Sequence, residues 1–206
     1  MGKIIAIVNQ KGGVGKTTSA VNLVACLGAM GKKVLLVDID PQGNTTSGYG
    51  ISRKNLSATS YEILIGSATA ASAVIPTKFQ GVDIIPSNIN LAGAELELAV
   101  IEKREAVLKN ALAPLQANYD FIFFDCPPSL GLITLNALTA SDSFLVPIQC
   151  EYYALEGLSQ LMSTVKRIKG SYNPKLRVMG ILVTMYNRRL LLSMQVINEL
   201  KKHYAD

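Results

Sequence analysis

Short runs of aliphatic and β-branched residues recur along this chain, separated by stretches in which apolar residues return every three or four positions. Six runs read as strands: Lys3–Val8, Lys33–Val37, Val82–Ile85, Phe121–Phe124, Ser143–Pro147 and Arg177–Thr184. Their apolar character is nearly continuous, which fits strands covered on both faces. The segments between them read as helices: Lys16–Met30, Leu91–Ala99, Ile101–Leu115, Leu130–Ala140, Ala154–Ile168 and Leu192–His203. In Ala154–Ile168 the residues Leu155, Leu158, Leu161, Met162, Val165 and Ile168 fall at helical spacing, so one face meets a sheet. Strands alternating with helices predict an α/β fold, a mostly parallel sheet with helices on both faces joined by right-handed crossovers. Asn44–Pro76 is rich in Ser, Thr, Ala and Gly and reads as loop and short helices over one sheet edge. With no internal repeat or low-complexity linker, residues 1–206 are expected to form a single domain.

Composition narrows the class. A chain of 206 residues, 49% hydrophobic and 17% charged, suits a large buried core and argues against disorder. No apolar run approaches the length of a membrane span, and the first strand follows Met1 too closely for a signal peptide. A cytoplasmic protein is expected. Cys26, Cys126 and Cys150 are odd in number and far apart, and read as reduced core residues rather than as disulfides or a metal site. The net charge of +5 is uneven: Lys166, Arg167, Lys169, Lys175, Arg177, Arg188, Arg189, Lys201 and Lys202 fall in a stretch, 166–202, whose one acid is Glu199. Such asymmetry suggests a polyanionic partner.

The chemistry begins directly after the first strand, where Gln10-Lys-Gly-Gly-Val-Gly-Lys-Thr-Thr18 opens the first helix. The pattern G-x-x-x-x-G-K-[ST] marks a phosphate-binding loop of the P-loop NTPase type, and its first glycine is replaced here by Gln10. The chemistry survives that change. Gly12, Gly13 and Gly15 can take backbone angles closed to other residues, so consecutive N–H groups, Val14 among them, turn toward phosphate oxygens. The helix N-terminus adds positive potential. Lys16 would reach the β- and γ-phosphates and the Thr17 hydroxyl would ligate Mg2+. Lys11 is a second cation in one turn, and its side chain could point into the same site or outward toward a second molecule's nucleotide.

Two strands end in acids, at Val37-Asp-Ile-Asp40 and at Phe121-Ile-Phe-Phe-Asp125. Ligands of open α/β sheets sit outside these strand ends, and a strand-end aspartate beside a phosphate loop is placed to hold magnesium directly or through water. Asp125 and Asp40 are therefore metal-side candidates with Thr17. Of the close pair, Asp40 is expected to position an attacking water and Asp38 to support it.

These residues, together with Asp125-Cys-Pro-Pro-Ser-Leu-Gly, Leu91-Ala-Gly-Ala-Glu95, Asn136-Ala-Leu-Thr-Ala-Ser-Asp142 and Gln149-Cys-Glu-Tyr-Tyr-Ala-Leu-Glu, resemble the ParA/MinD family of deviant Walker ATPases, and its chromosomal ParA branch in particular. The resemblance runs from Met1 to the end of the chain. It implies an ATP- and Mg2+-dependent homodimer with two nucleotides sandwiched between subunits. Lys11 would reach the partner's ATP, Gly12 would lie at the close approach of subunits, and Thr18 would join Lys16 and Thr17 at the phosphates. Pro127 and Pro128 would begin a switch region, and Glu151 would lie near the dimer interface.

In the ParA branch the dimer binds double-stranded DNA without sequence preference, and Arg189, beside Arg188, stands where the family places a contacting arginine. A ParB-like protein would stimulate slow hydrolysis during chromosome or plasmid partitioning on the nucleoid. The family continues beyond the equivalent of Asp206 with a strand, an adenine-contacting loop and closing helices, so the chain is expected to lack that C-terminal part. Asn187–Leu192 is also more basic and more apolar than the family pattern. Two rivals have their own requirements. A MinD-like membrane switch needs an amphipathic C-terminal anchor, and Ile197, Leu200 and Tyr204 read instead as a core face. An iron–sulfur reductase of the nitrogenase iron-protein type needs a cluster cysteine near Leu132.

Overall fold

Along β1 (Lys3–Ile7) and into Val8, alternate side chains enter two different cores. Ile4, Ala6 and Val8 join one and Ile5 and Ile7 the other, each 5% exposed or less. The same division recurs on β2 (Val34–Asp38), where Leu35 and Val37 oppose Val34 and Leu36. A strand with both faces dry has no position left for a polar side chain, which is why the runs read as continuous.

The computed structural model describes residues 1–204. The remaining strands are β3 (Ile75–Pro76), β4 (Val82–Ile85), β5 (Phe121–Asp125), β6 (Ser143–Gln149) and β7 (Arg177–Thr184). Among the described residues they form one seven-stranded sheet in the order β3-β4-β2-β5-β1-β6-β7. Every pairing is parallel except β3 with β4.

Helix α1 (Lys16–Ala29) buries Ala20 and Val24 on one face, beside the short α2 (Asn44–Gly48). The other face carries α3 (Ser60–Leu64), α4 (Ala94–Leu98), α5 (Val107–Leu112), α6 (Leu132–Ala140), α7 (Ala154–Ser171) and α8 (Leu191–Tyr204). On α7 the apolar stripe is the buried one, with Leu158, Leu161, Val165 and Ile168 in the core. On α8 Leu200 is buried and Ile197 half-buried, but Tyr204 is exposed and leaves the expected core face.

Three further expectations are corrected. Ile75 and Pro76 add a seventh strand at the edge, where a residue without an N–H removes no ladder bond the sheet needs. Residues 101–115 are not one helix. Lys103 takes φ 55, and 3-10 turns flank α5 on both sides. The cause is buried Asn136, whose Oδ1 accepts the Leu108 N–H at 3.1 Å while its Nδ2 donates to the Arg104 carbonyl at 2.8 Å. That side chain supplies partners the helix would otherwise provide. Finally, Cys126 and Cys150 are buried but Cys26 is exposed, on the outer side of α1; all three are free thiols.

Helix α1 packs against the start of β4 at Gly28, where an added Cβ would fall 2.6 Å from Val82 Cγ2 and against the Gln80 carbonyl. Gly28→Ala is therefore expected to cost about 1–3 kcal/mol of stability by overpacking. A melting temperature equal to that of the parent chain would show that α1 does not press on β4.

Candidate functional site

The parallel register sets Ile7 opposite Asp125 and Asp38 opposite Asp125, so the C-terminal ends of β1, β2 and β5 lie side by side. The loop leaving β1 thus faces the acids that end its neighbours. This is the crevice where open α/β sheets take ligands.

The loop is fastened from outside. The Asn9 side chain accepts the Lys11 N–H at 3.0 Å and donates to the Pro147 carbonyl at 2.8 Å. Gly13 and Gly15 adopt φ of 73 and 87, a region that costs a residue with a Cβ. Gly12 does not share that backbone, contrary to expectation, and a Cβ there would meet nothing within 4 Å. An open cavity of about 320 Å³ results. Of the residues singled out from the sequence, Gly12, Gly13, Gly15, Lys16, Thr17, Thr18, Asp40 and Pro128 line it, joined by Gln42, Asn44 and Met185. A larger cavity of about 740 Å³, bordered by α6 and α7, lies away from these groups. The smaller one holds the convergent cation, hydroxyls and acid, and is the functional candidate.

Val14 and Pro127 are buried next to the cavity, and Asp125 lies behind Thr17. Asp125 Oδ2 accepts from the Thr17 hydroxyl at 2.7 Å and the Thr45 hydroxyl at 2.6 Å. Its Oδ1 is buried with no hydrogen-bond partner among the described residues. Burial pushes this carboxyl above its ordinary pKa, against the two hydroxyls and the Lys16 charge. A buried carboxylate oxygen left unpaired is costly, and a hard cation coordinated through oxygen and water would relieve it. Among the described residues no group of three His, Cys, Asp or Glu could hold a metal unaided. The residues present therefore fit Mg2+, which leans on phosphate oxygens and its own waters, with Thr17 and Asp125 beside it.

Asp38 and Asp40 divide their work. Asp38 is wholly buried: its Oδ2 accepts from the Thr46 N–H at 2.8 Å and the Thr46 hydroxyl at 2.6 Å, and its Oδ1 from the Asp40 N–H at 3.2 Å. Burial pushes its pKa up to about 7, with the nearby Asp125 adding to the rise and the hydrogen bonds opposing it. Asp40 faces the cavity, with its Oδ1 accepting the Gln42 N–H at 2.9 Å and its carbonyl held by the Ser87 hydroxyl at 2.8 Å. One acid fastens the turn. The other stands at the site.

Lys16 is nearly buried, its Nζ donating to the Lys11 carbonyl at 2.9 Å. Desolvation lowers its pKa, opposed by Asp125, Cys126 and Asp40. Lys11 is not among the residues lining this cavity and forms an ion pair with Glu151, which does not line it either, both side chains about 40% exposed (37% and 43%). Arg188 and Arg189 are exposed on the loop between β7 and α8, outside the cavity. The sequence reading missed Asn9, Thr45, Thr46, Ser87 and Thr184. Thr45 and Thr46, at the start of α2 just past Asp40-Pro-Gln-Gly43, were the ones a turn pattern could have signalled.

A family model described as an AAA domain matches residues 2–178. The sporulation initiation inhibitor protein Soj of Bacillus subtilis is 56% identical over 206 residues, covering 100% of this chain and 81% of its own. The chromosome partitioning protein ParA of Caulobacter vibrioides is 48% identical, covering 99% and 77%. The chain belongs to the ParA/MinD family of deviant Walker ATPases.

Solved structures agree in fold. A protein from Mycobacterium smegmatis described as cobyrinic acid a,c-diamide synthase, with bound ADP and magnesium, superposes with TM-score 0.93 at 41% identity, covering 99% of this chain and 83% of that one. A putative plasmid partition protein from Borrelia burgdorferi bound to AMPPNP gives 0.86 at 32%, covering 98% and 81%. The two descriptions differ while the family's fold is common to both. Among the described residues no helix is long and apolar enough to cross a membrane.

The raised Asp38 pKa carries a sign. The folded carboxyl keeps its proton up to about pH 7, whereas the unfolded one loses it near 3.8. Its contribution to stability is thus full below pH 3.8 and lost as the pH rises toward 7. In denaturant titrations Asp38→Asn should flatten that decline, by an amount on the order of a few kcal/mol across the interval. Equal pH profiles for the two proteins would place a charged Asp38 in the fold throughout.

Proposed function

We propose that the chain is an ATP-driven switch for partitioning DNA. ATP with Mg2+ pairs two copies around two nucleotides, the dimer binds double-stranded DNA without sequence preference, and slow hydrolysis stimulated by a ParB-like protein releases it. The observation that carries this reading is the convergence of Lys16, Thr17 and Asp40 on one cavity with the unpartnered Asp125 Oδ1 behind Thr17. The partitioning roles named for its C. vibrioides and B. burgdorferi relatives support the cellular setting in this reading, a cytoplasmic protein on the nucleoid.

In this reading the N–H groups of residues 12–18 cradle the phosphates and Lys16 leaves the Lys11 carbonyl for the β- and γ-phosphate oxygens. Thr17 would hold the magnesium, and Asp125, which accepts from the Thr17 and Thr45 hydroxyls, would orient that ligand. When bound, magnesium neutralises charge developing on the phosphoryl oxygens. Asp40 accepts a hydrogen bond from the attacking water, and the Asp38–Thr46 bonds keep it aimed. Positioning and charge neutralisation supply most of the catalysis in phosphoryl transfer.

Lys11 supports the dimer. It does not line its own cavity, and a half-exposed ion pair contributes only about 0–1 kcal/mol, so Glu151 yields it readily to a second subunit's nucleotide. Gly12, with open space where a side chain would stand, suits a close approach there. Pro127 and Pro128 join Asp125 to α6 and form the segment that would shift with the magnesium. Arg188 and Arg189 are the exposed cations for backbone phosphates, a contact that is salt-sensitive and blind to sequence.

Two measurements test this reading. Asp40→Ala should bind ATP with near-parental affinity, lower turnover by about 100-fold or more, and accumulate as a dimer in light scattering with ATP but not ADP. Parental turnover would move the water-positioning role to another residue. Arg189→Glu should weaken binding to all duplex sequences alike and reduce the salt dependence of binding by about one ion or more. Unchanged DNA affinity would remove this loop from the DNA surface.

A further inference from the structure

The end of β7 touches the phosphate-binding loop and then carries both arginines. Thr184, the last residue of the strand, donates its hydroxyl to the Val14 carbonyl at 2.8 Å, with the Ile148 carbonyl at 3.2 Å. A hydroxyl has one proton, and the shorter contact takes it. The Thr184 methyl lies 3.4 Å from where a Cβ on Gly15 would stand, so it packs directly under the loop.

This contact has a directional consequence. A planar trans peptide holds its C=O and N–H on opposite sides. Fixing the Val14 carbonyl toward Thr184 therefore turns the Gly15 N–H the opposite way, as a loop that binds phosphate through its N–H groups requires. The next residue, Met185, lines the nucleotide cavity itself and has φ 50, a strained backbone for a long side chain. Two residues further on, the Asn187 side chain accepts the Arg189 N–H at 3.0 Å, and its carbonyl accepts the Leu190 N–H at 3.1 Å, closing a turn into α8. From Thr184 to Arg189 the chain runs without a break from the loop brace, past the cavity wall, to the candidate DNA surface.

We propose that Thr184 is a positioning residue through which nucleotide in the loop governs the Arg188–Arg189 turn. It aims the Gly15 N–H, and it makes the strained Met185 turn respond to what occupies the cavity. The inference rests on the proposed function, taking the loop as the ATP site and the arginines as the DNA surface.

The test measures ATP-analogue affinity and duplex DNA affinity, in ATP and in ADP, for the full chain and for Thr184→Val and Thr184→Ser. Valine keeps the shape and removes the donor, while serine keeps the donor. In Thr184→Val the analogue should bind about fivefold more weakly, the size of one neutral hydrogen bond. The ratio of DNA affinity in ATP to that in ADP should fall by about tenfold, and Thr184→Ser should restore both. A parental ratio in Thr184→Val overturns the inference and leaves the proposed function standing. Loss in valine that serine does not restore also overturns it, because the hydroxyl is then not the cause. Parental chain that binds DNA equally in ATP and ADP overturns the proposed function, and this inference with it.

Discussion

A carboxylate buried where three parallel strands end is the constraint around which this molecule is arranged. Asp125 lies at the end of β5, flanked by β1 and β2, with one oxygen satisfied by Thr17 and Thr45 and the other by nothing among the described residues. Such a group is tolerated only if its surroundings are built for it. The two threonines come from α1 and α2, so a single acid ties the start of each helix to the sheet. Lys16 lies near enough to favour its charge. A cation beside the free oxygen would complete the arrangement, and that is the chemistry of magnesium bound with a nucleotide.

Around that centre the chain spends its polar side chains on holding backbone rather than on reacting. Asp38 clamps the turn that presents Asp40, Asn9 and Thr184 hold the phosphate loop against β6 and β7, and Asn136 rewrites the entry to α5. At the start of α6, the Glu95 carboxylate accepts the Ile133 N–H at 3.3 Å, where the helix end favours negative charge. Asp142 accepts the Ile4 N–H at 2.8 Å and so fastens the beginning of β1. The motifs containing Glu95, Asn136 and Asp142 carried the family resemblance in the sequence. In the fold they are braces that fix where the strand ends fall.

Much of this was legible in advance. The central strands were readable because a strand dry on both faces needs an unbroken apolar run, and the phosphate loop because its glycines, lysine and threonine have one shared use. Strand β7 carries a similar run but leaves Val178, Met179 and Leu182 exposed, against the expectation of cover on both faces. The irregular stretch ending at Pro76 does contain short helices, but α2 lies beside α1 on one face of the sheet and α3 on the other rather than over one edge. Its two-residue strand was invisible because such a pairing is set by β4, not by local pattern. Residues 101–115 carried a helical period and still broke, because Asn136, far along the chain, offered their backbone other partners. Cys26 looked like core and is exposed, since helix α1 has an outer side that its composition does not announce.

The sequence by itself determined the chemical inventory: a loop that binds phosphate, a spare lysine, acids at two strand ends and an excess of cations toward the end of the chain. Those follow from residue type and spacing over a few positions, and no folding is needed to read them. Only the tertiary structure decided which acid faces the cavity and which is sealed beneath it. It alone set Lys11 against Glu151, 140 positions away, and Thr184 against Val14, 170 positions away. The physical reason is the strand order. By inserting β5 between β2 and β1 and setting β6 on the other side of β1, the sheet brings distant strand ends into hydrogen-bonding range, and local sequence carries no record of that order.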